Sequence, residues 1–436
     1  METRLRRSGS LALLGLLAFA SSGAADPRFE WSATLPFTGG PGQILGDLVA
    51  HDGGVSGLYS RPDGSGLRLF LYRFAADGSL LDERDVGAPG EIYYEPGACW
   101  DGARYAVAAS SFTRGSFLLL SAAGDTLLPT TPLPSIPFGG RTAAFRVRCT
   151  PAGIAVFGLL LEPEFPGSPF YYTSLHYWLL DANGAVQVDR DLGILLAPIA
   201  YPGLEGAEKE YYDVAWTGAG YLVAYSAECG VPASFQTCYR VVDVDGDTVR
   251  AEAPATTVPT KGPHLAANGD TIGLTTLRQN AFPGGNNLFA RFFDPDGTPR
   301  GPEQRYDDPA LVPTGYAPAI VWAPPRFLAA YVQADPFTLA YQVMLAPFDG
   351  AGVRRGYGAP VADPLAVVND TINLGVDLQL AAQGGLLFGK GQAGVIEIAP
   401  IVFRIPEPAS APLALAATLV LAGRARSRRS APQVGQ

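Results

Sequence analysis

The chain has 436 residues, a formal net charge of −10, 52 glycines, 38 prolines and 17% charged residues. An acidic surface repels phosphate groups, so this charge argues against a nucleic-acid partner and against binding to anionic lipid headgroups. Many turn-forming residues, with no strongly periodic helical segment between the two chain ends, predict an all-β fold of short strands.

The first 25 residues predict a signal peptide. Three arginines among residues 4–7 precede an apolar stretch over 11–20, and small residues follow up to Ala25. This order is typical of export through the Sec route, and the apolar stretch is too short for a permanent membrane anchor. We therefore expect residues 1–25 to be removed and the remainder to lie outside the cytoplasm.

The body of the chain, residues 26–404, repeats a strand, a tight turn and a second strand. Clear copies span 98–109, 214–225 and 320–331, and weaker copies begin at Val49, Arg148, Leu265 and Leu380. Six copies are followed by a second glycine turn, at Gly78, Gly124, Gly184, Gly246, Gly297 and Gly350. Two hairpins make four strands, which is the content of one β-propeller blade.

These repeats predict a seven-bladed β-propeller with four-stranded blades. The units lie near 42–90, 91–135, 141–193, 210–257, 261–308, 315–363 and 370–404. The seventh unit lacks a second turn, so the lone strand predicted over 28–37 is expected to complete the last blade and remove an exposed edge. A six-bladed ring and a β-sandwich array are the alternatives.

The unit over 214–223 reads Val-Ala-Trp-Thr-Gly-Ala-Gly-Tyr-Leu-Val and resembles the repeated units of bacterial secreted propellers. The other six copies match less well. The resemblance covers most of the chain but implies only the fold, because propellers serve as enzymes, lectins and scaffolds. Within each unit, we expect the Trp-x-Gly hairpin to be the inner pair of strands and its aromatic residues to belong to the core.

Four cysteines in an exported chain are expected to form disulfides. Cys99 and Cys149 occupy equivalent positions in the second and third copies, which should face each other across adjacent blades. Cys229 and Cys238 bracket one loop of the fourth copy. The predicted disulfides are therefore Cys99–Cys149 and Cys229–Cys238, since the close Cys/His spacing of a metal site is absent from the sequence.

Several tyrosines precede the central tryptophan of their unit, at Tyr93, Tyr94, Tyr211, Tyr212 and Tyr316. The connection that enters an inner strand surrounds the central channel of a propeller, so these rings are candidates for a platform that stacks on sugars. Tyr171 and Tyr172, in a long loop of the third copy, are candidates for the same face. The alternative is that these tyrosines wedge between blades.

One pattern has metal-binding character: Asp243, Asp245 and Asp247 offer alternating carboxylates to calcium. The alternative for them is an ordinary hairpin turn, and no other cofactor is indicated. Catalytic patterns are scarce in the sequence. The three histidines, His51, His176 and His264, form no His-x-x-x-His pair, and neither a Gly-x-Ser-x-Gly elbow nor a phosphate loop occurs.

The end of the chain has three successive parts. An extended Pro-Glu-Pro break is followed by an apolar run over 409–423, short for a transmembrane helix, and then by arginines that would stay on the cytoplasmic side. The residues that define this signal are Pro406, Glu407, Pro408, Arg424, Arg426, Arg428 and Arg429. Over 405–430 the chain resembles the PEP-CTERM sorting domain, which implies transient membrane insertion, an exosortase as processing partner, and a Gram-negative host that makes exopolysaccharide.

Three functions follow as hypotheses. The first is a non-catalytic propeller of the cell surface or extracellular matrix that binds a glycan, such as exopolysaccharide, or a protein partner. The second is a secreted carbohydrate-active hydrolase or lyase with its site at the propeller channel. The third, a purely structural coat protein, predicts no pocket.

Overall fold

The computed structural model describes twenty ranges of the chain, all of them strands, turns and short connections. These ranges are 28–31, 37–38, 44–52, 54–62, 66–75, 79–88, 93–111, 114–134, 141–163, 170–200, 211–229, 236–278, 287–307, 312–313, 318–334, 341–355, 359–362, 377–382, 386–392 and 395–404. They contain no α-helix, and hence no helix long and apolar enough to cross a bilayer. The predicted signal peptide and C-terminal sorting helix lie outside the described residues.

Five four-stranded antiparallel sheets form blades 1 to 5 in chain order. Blade 1 contains β3 (Ile44–His51), β4 (Gly54–Pro62), β5 (Leu67–Phe74) and β6 (Leu80–Asp85). Blade 2 contains β7 (Tyr94–Trp100), β8 (Arg104–Ser111), β9 (Arg114–Ser121) and β10 (Thr126–Pro132). Blade 3 contains β11 (Arg141–Thr150), β12 (Gly153–Pro163), β13 (Phe170–Leu180) and β14 (Val186–Ala200).

Blade 4 contains β15 (Tyr212–Trp216), β16 (Gly220–Ala227), β17 (Gln236–Asp243) and β18 (Thr248–Pro254). Blade 5 contains β19 (Lys261–Ala267), β20 (Ile272–Arg278), β21 (Asn287–Phe293) and β22 (Gln304–Arg305). Ten further strands form one sheet: β1 (Arg28–Trp31), β2 (Phe37–Thr38), β23 (Val312–Pro313), β24 (Ala319–Ala323), β25 (Arg326–Ala334), β26 (Tyr341–Asp349), β27 (Ala359–Ala362), β28 (Asp377–Ala382), β29 (Leu386–Gln392) and β30 (Val395–Arg404).

The described strands therefore make six blades, and the predicted number of seven is wrong. The reason is the N-terminal segment, which pairs on both sides. Its strand β2 pairs with β30, where Phe37 faces Ile398, as a closing strand should. Its strand β1 also lies beside β30 and pairs in parallel with β27, where Phe29 faces Val361. The last two sequence units are thereby hydrogen-bonded into one ten-stranded sheet.

The first strands of successive units contact one another in chain order. Contacts run from β3 through β7, β11, β15, β19 and β24 to β28, and β28 in turn contacts β3. These strands thus enclose a central axis, and they belong to one compact unit, Phe29–Val402. Of the second unit, Met1–Arg28 with Phe403–Gln436, the described residues are Arg28, Phe403 and Arg404.

The hydrophobic core lies between neighbouring blades. Side chains of a strand alternate between its two faces, and β16 shows the consequence. Its Tyr221 and Val223 pack against blade 3, whereas Leu222 and Ala224 pack against blade 5. Both faces of the blade are therefore buried, which explains the nearly continuous apolar sequence of this strand.

Both predicted disulfides are present. Cys99–Cys149 joins β7 of blade 2 to β11 of blade 3, with the two Cα atoms 5.5 Å apart. Cys229–Cys238 closes the connection between β16 and β17, with a Cα separation of 6.0 Å. The first bond ties two blades together near the axis, and the second restrains a connection within one blade.

Candidate binding site at the propeller axis

A cavity of about 360 Å³ lies among the first strands of the blades, and its described lining comes from β3, β7, β11, β15, β19 and β24. It therefore occupies the space around the axis that these strands enclose. Its volume is in the range of ligand sites in proteins. Apolar side chains, including Ile320 and Trp322, share its wall with five ionisable ones: Asp47, Arg146, Arg148, Asp213 and His264.

Arg146 reaches the cavity because β11 is irregular just before it. The pairing of β11 with β12 shifts between Ala143 and Arg146, and Ala144 adopts a φ of +52°. A bulge of this kind changes the direction of the side chains that follow it. The buried hydroxyl of Tyr212 donates a hydrogen bond to the carbonyl oxygen of Ala144 and lies 3.0 Å from that of Phe157, which holds the bulge against blade 4.

Two aspartates from different blades flank the Arg146 guanidinium. Its Nη1 lies 3.6 Å from Oδ1 of Asp47, and its Nε lies 3.2 Å from Oδ1 of Asp213. Arg146 is 2% exposed, Asp47 8% and Asp213 5%. Taking one charge out of water costs several kcal/mol, so these buried groups are stable only as a set in which opposite charges compensate one another.

Backbone N–H groups and the Arg148 side chain complete the coordination of the two carboxylates. Asp47 Oδ2 accepts a hydrogen bond of 3.0 Å from the Ala98 N–H. Asp213 Oδ1 accepts one of 2.7 Å from Arg148 Nη2, and its Oδ2 accepts one of 2.7 Å from the Leu265 N–H. Each carboxylate oxygen thus faces a protein donor. This arrangement favours holding the strands in place over proton transfer to a substrate.

The candidate tyrosines do not form one platform. Tyr93 and Tyr212 are 1% and 0% exposed, so neither ring is accessible for stacking, and burial raises the pKa of Tyr212 far above its usual range. The Tyr93 hydroxyl accepts a hydrogen bond from the Ala88 N–H and lies 2.9 Å from Thr130 Oγ1 in the same blade-to-blade contact. Both residues therefore lie between neighbouring blades.

The other candidate tyrosines stay predictions. Tyr211 is half-buried and packs against the core between blades 3 and 4. Tyr94, Tyr171 and Tyr172 lie in strands whose side chains at these positions are outside the described residues, as is the whole of Tyr316.

The three aspartates proposed for calcium form a hairpin turn. Asp243 Oδ1 accepts hydrogen bonds from the N–H groups of Asp245 and Asp247, and Gly246 adopts a φ of +80°. Asp247 pairs with Arg190 of blade 3 at 2.6 Å. Asp181 and Asp349 accept the same two backbone hydrogen bonds in their own turns. Among the described residues no group of three or more metal-ligating side chains is arranged around a metal position.

His51 occupies the position that tryptophan takes in other units. Its Nε2 lies 3.0 Å from Ser56 Oγ, and its ring lies 5.4 Å from that of Trp100. Burial is the main cause that lowers the pKa of His51 below 6.5, followed by the charge of Arg73. Ser56 is 1% exposed, so this Ser–His contact is a packing contact and offers no accessible nucleophile.

Sequence reasoning missed the charged residues of the axial cavity. They are far apart in the chain and match no motif, since the fold alone brings β3, β11 and β15 together. A signal was nevertheless present: Asp47, Arg146, Arg148 and Asp213 are charged residues inside otherwise apolar first strands. Charge at such a position requires a buried partner, and the ring of strands provides one.

No family model and no curated protein matches the chain. Solved structures share the propeller fold at low identity. The β-propeller domain of the Trilobed protease from Pyrococcus furiosus is 9% identical, with 84% of this chain and 97% of that one covered and a TM-score of 0.45. Polysaccharide lyase Uly1 is 10% identical, with 81% and 89% covered and a TM-score of 0.46.

The acylaminoacyl peptidase of Pyrococcus horikoshii is 11% identical, with 80% of this chain covered and a TM-score of 0.44. The match spans 49% of that peptidase, so this chain corresponds to about half of its length. At these identities the likeness concerns the fold alone. The strand topology of the chain itself defines an all-β propeller with an axial cavity, and the function has to be argued from that cavity.

Proposed function

We propose that the protein is an exported, non-catalytic binding propeller that holds a saccharide of the extracellular polysaccharide in its axial cavity. The observation that carries this proposal is the composition of the cavity wall. Its two carboxylates face protein donors, while Trp322 and Ile320 supply apolar surface beside them. Aromatic and polar groups together suit a sugar, which has apolar C–H faces and hydroxyl edges.

Export and sorting belong to the same proposal. The signal peptide over 1–25, the PEP-CTERM-like segment over 405–430 and the two disulfides support an extracytoplasmic location, because disulfides persist in oxidising compartments. Exosortase is the processing partner that the C-terminal resemblance implies. A purely structural coat predicted no pocket, and the axial cavity argues against it.

The test is a glycan array and an exopolysaccharide pull-down with the full chain, purified under oxidising conditions. Ala50→Phe fills the cavity from β3, where Ala50 forms part of the wall. Ala103→Phe, in the exposed turn after β7, adds the same ring away from the cavity. Saccharide binding that Ala50→Phe removes and Ala103→Phe keeps supports the proposal. Equal binding by both folded variants, or no saccharide binding at all, contradicts it.

A catalytic alternative is favoured by one observation, the presence of Asp47 and Asp213 in the same cavity. Glycoside hydrolases commonly use two carboxyl groups, one of them as an acid. The assay is incubation with the bound polysaccharide, followed by measurement of new reducing ends and of unsaturated products. Release of products by the parent protein, lost in Asp47→Asn, would establish an enzyme.

A further inference from the structure

Two more cavities adjoin the axial one. The first, of about 380 Å³, contains Trp216 and shares Arg148 and residues 265–267 with the axial cavity. The second, of about 690 Å³, contains Asn268 and Arg300 and shares Trp322 with the axial cavity. Because their walls are shared, the three spaces are neighbours. They follow the ends of β15, β19 and β24, where the first hairpins of these units turn.

A tryptophan stands in each flanking cavity at the same place in its hairpin. The ring of Trp216 lies 5.1 Å from that of its cross-strand neighbour Tyr221, and Trp322 lies 4.9 Å from Phe327. Both tryptophans are half-buried and pack against the core between blades. A ring supported from behind and open in front is a rigid stacking surface.

The cavity of about 690 Å³ has a polar wall that is built from two units. Asn268 Nδ2 donates a hydrogen bond of 3.1 Å to the carbonyl oxygen of Gly350. Arg300 donates to Asp294 at 2.5 Å and to Thr271 Oγ1 at 2.6 Å. A Cβ atom on Gly350 would lie 3.4 Å from Cη2 of Trp322, so the glycine leaves the edge of the indole uncovered.

The formal charges around the three cavities balance. Their described linings contain three aspartates and three arginines, namely Asp47, Asp213, Asp270, Arg146, Arg148 and Arg300. Arg148 and Arg300 donate to carboxylate, hydroxyl or backbone carbonyl oxygens of the protein itself, and the Arg146 guanidinium lies between Asp47 and Asp213. Neither sign of charge is in excess, so a charged ligand would lose hydration without gaining an opposite charge.

We infer that the three cavities form one groove for an extended, uncharged polysaccharide, with Trp216 and Trp322 as stacking platforms beside the axial cavity. The inference rests on the proposed saccharide binding and adds the ligand's length and charge. A chain that crosses three cavities engages several sugar units, and two spaced tryptophans can stack on two of them. Binding of a neutral chain should also depend little on ionic strength.

The experiment is isothermal titration calorimetry of the full chain with neutral malto-, cello-, laminari- and manno-oligosaccharides of increasing length. Oligogalacturonates and chitosan oligomers serve as anionic and cationic comparators. We expect at least one neutral series to bind more tightly with each added unit over several units. Trp216→Ala and Trp322→Ala should each weaken the longest oligomer roughly tenfold. Trp216→Ala should leave the shortest bound oligomer nearly unaffected.

Trp100→Ala is the matched control. Trp100 ends β7, its ring lies 4.8 Å from that of its cross-strand neighbour Tyr105, and it lines none of the three cavities. It should cost stability without weakening binding. Three outcomes would overturn the inference: affinity that does not grow beyond one sugar unit, tighter binding of a charged series, or equal weakening by all three tryptophan variants. If any of these outcomes occurs while saccharide binding persists, only the inferred groove is contradicted and the proposed function is retained. If no series binds, both the groove and the proposed function are contradicted.

Discussion

The carboxylate of Asp213 in β15 accepts a hydrogen bond of 2.7 Å from the backbone N–H of Leu265 in β19. The bond joins the first strands of blades 4 and 5. The same carboxylate lies 3.2 Å from Nε of Arg146 in blade 3, so one side chain links three consecutive blades around the axis. In blade 1, Asp47 makes the equivalent bond to the Ala98 N–H of blade 2.

Asp213→Ala should therefore destabilise the protein by about 3 kcal/mol, because it removes the nearer partner of a guanidinium that is almost fully buried. Urea unfolding measures the loss. Asp125→Ala is the control. The side chain of Asp125 is 69% exposed and pairs with Arg84 at the surface, so its removal should cost less than about 1 kcal/mol. Similar losses in the two variants would mean that the axial network contributes no more than a surface ion pair.

The two disulfides should contribute unequally. Cys99 and Cys149 are 50 residues apart, whereas Cys229 and Cys238 are 9 apart. In the chain-entropy model, the longer loop gives about 4 kcal/mol and the shorter about 2.5 kcal/mol, because a longer loop restricts the unfolded chain more. Denaturant unfolding of the two Cys→Ala double variants tests the order. A larger loss of unfolding free energy for the Cys229–Cys238 pair would show that native packing, rather than loop length, determines how much each disulfide stabilises the protein.

The sequence was sufficient to predict four-stranded blades but not their number or how the last strands are joined. Hairpin spacing and turn glycines are local features, and Gly102 and Gly218 do adopt φ values of +99° and +96° in the Trp-x-Gly turns. Equivalent positions in neighbouring repeats were also enough to pair the cysteines. The parallel pairing of β1 with β27 joins residues more than 300 positions apart, and no local pattern encodes it.

The candidate site was harder to predict for a related reason. The position of a tyrosine before tryptophan is a local feature, but its burial depends on which neighbouring blade covers it, as it does for Tyr212. The bulge around Ala144, which directs Arg146 to the cavity, is likewise in contact with blade 4 through the Tyr212 hydroxyl. Tertiary packing rather than local sequence decides both outcomes.

His51 should make stability depend on pH near neutrality. Its pKa is lowered by burial, so the folded protein favours the neutral imidazole and the unfolded chain binds more protons. The stability that depends on neutral His51 is fully present above 6.5, the pKa of the unfolded chain. It is lost as the pH falls from there through the lower pKa of His51 in the folded protein. NMR titration of the His51 ring and melting temperatures across this range provide the measurement. His51→Gln should flatten the slope; an unchanged slope would assign it to other groups.

Asp243 should stabilise its turn without calcium. Its Oδ1 already accepts two backbone hydrogen bonds, each worth about 1 kcal/mol net, so Asp243→Ala should cost roughly 1 to 2 kcal/mol. Asp243→Asn keeps an acceptor oxygen and should cost much less. Thermal unfolding with calcium and with a chelator should give the same melting temperature. A rise with calcium that Asp243→Asn abolishes would restore the metal-site interpretation.

Removal of the C-terminal segment should leave the fold intact. Strand β30, which pairs with β29, β2 and β1, ends at Arg404, before the Pro406–Pro408 triplet. The Pro406–Pro408 triplet therefore follows the last ladder, where a protease can cut without breaking a described strand pair. Intact-mass analysis in the native host should give a chain that begins at Asp26 and ends near the triplet. The melting temperature should be the same before and after cleavage, and retention of Arg424–Arg429 in the mature protein would contradict exosortase processing.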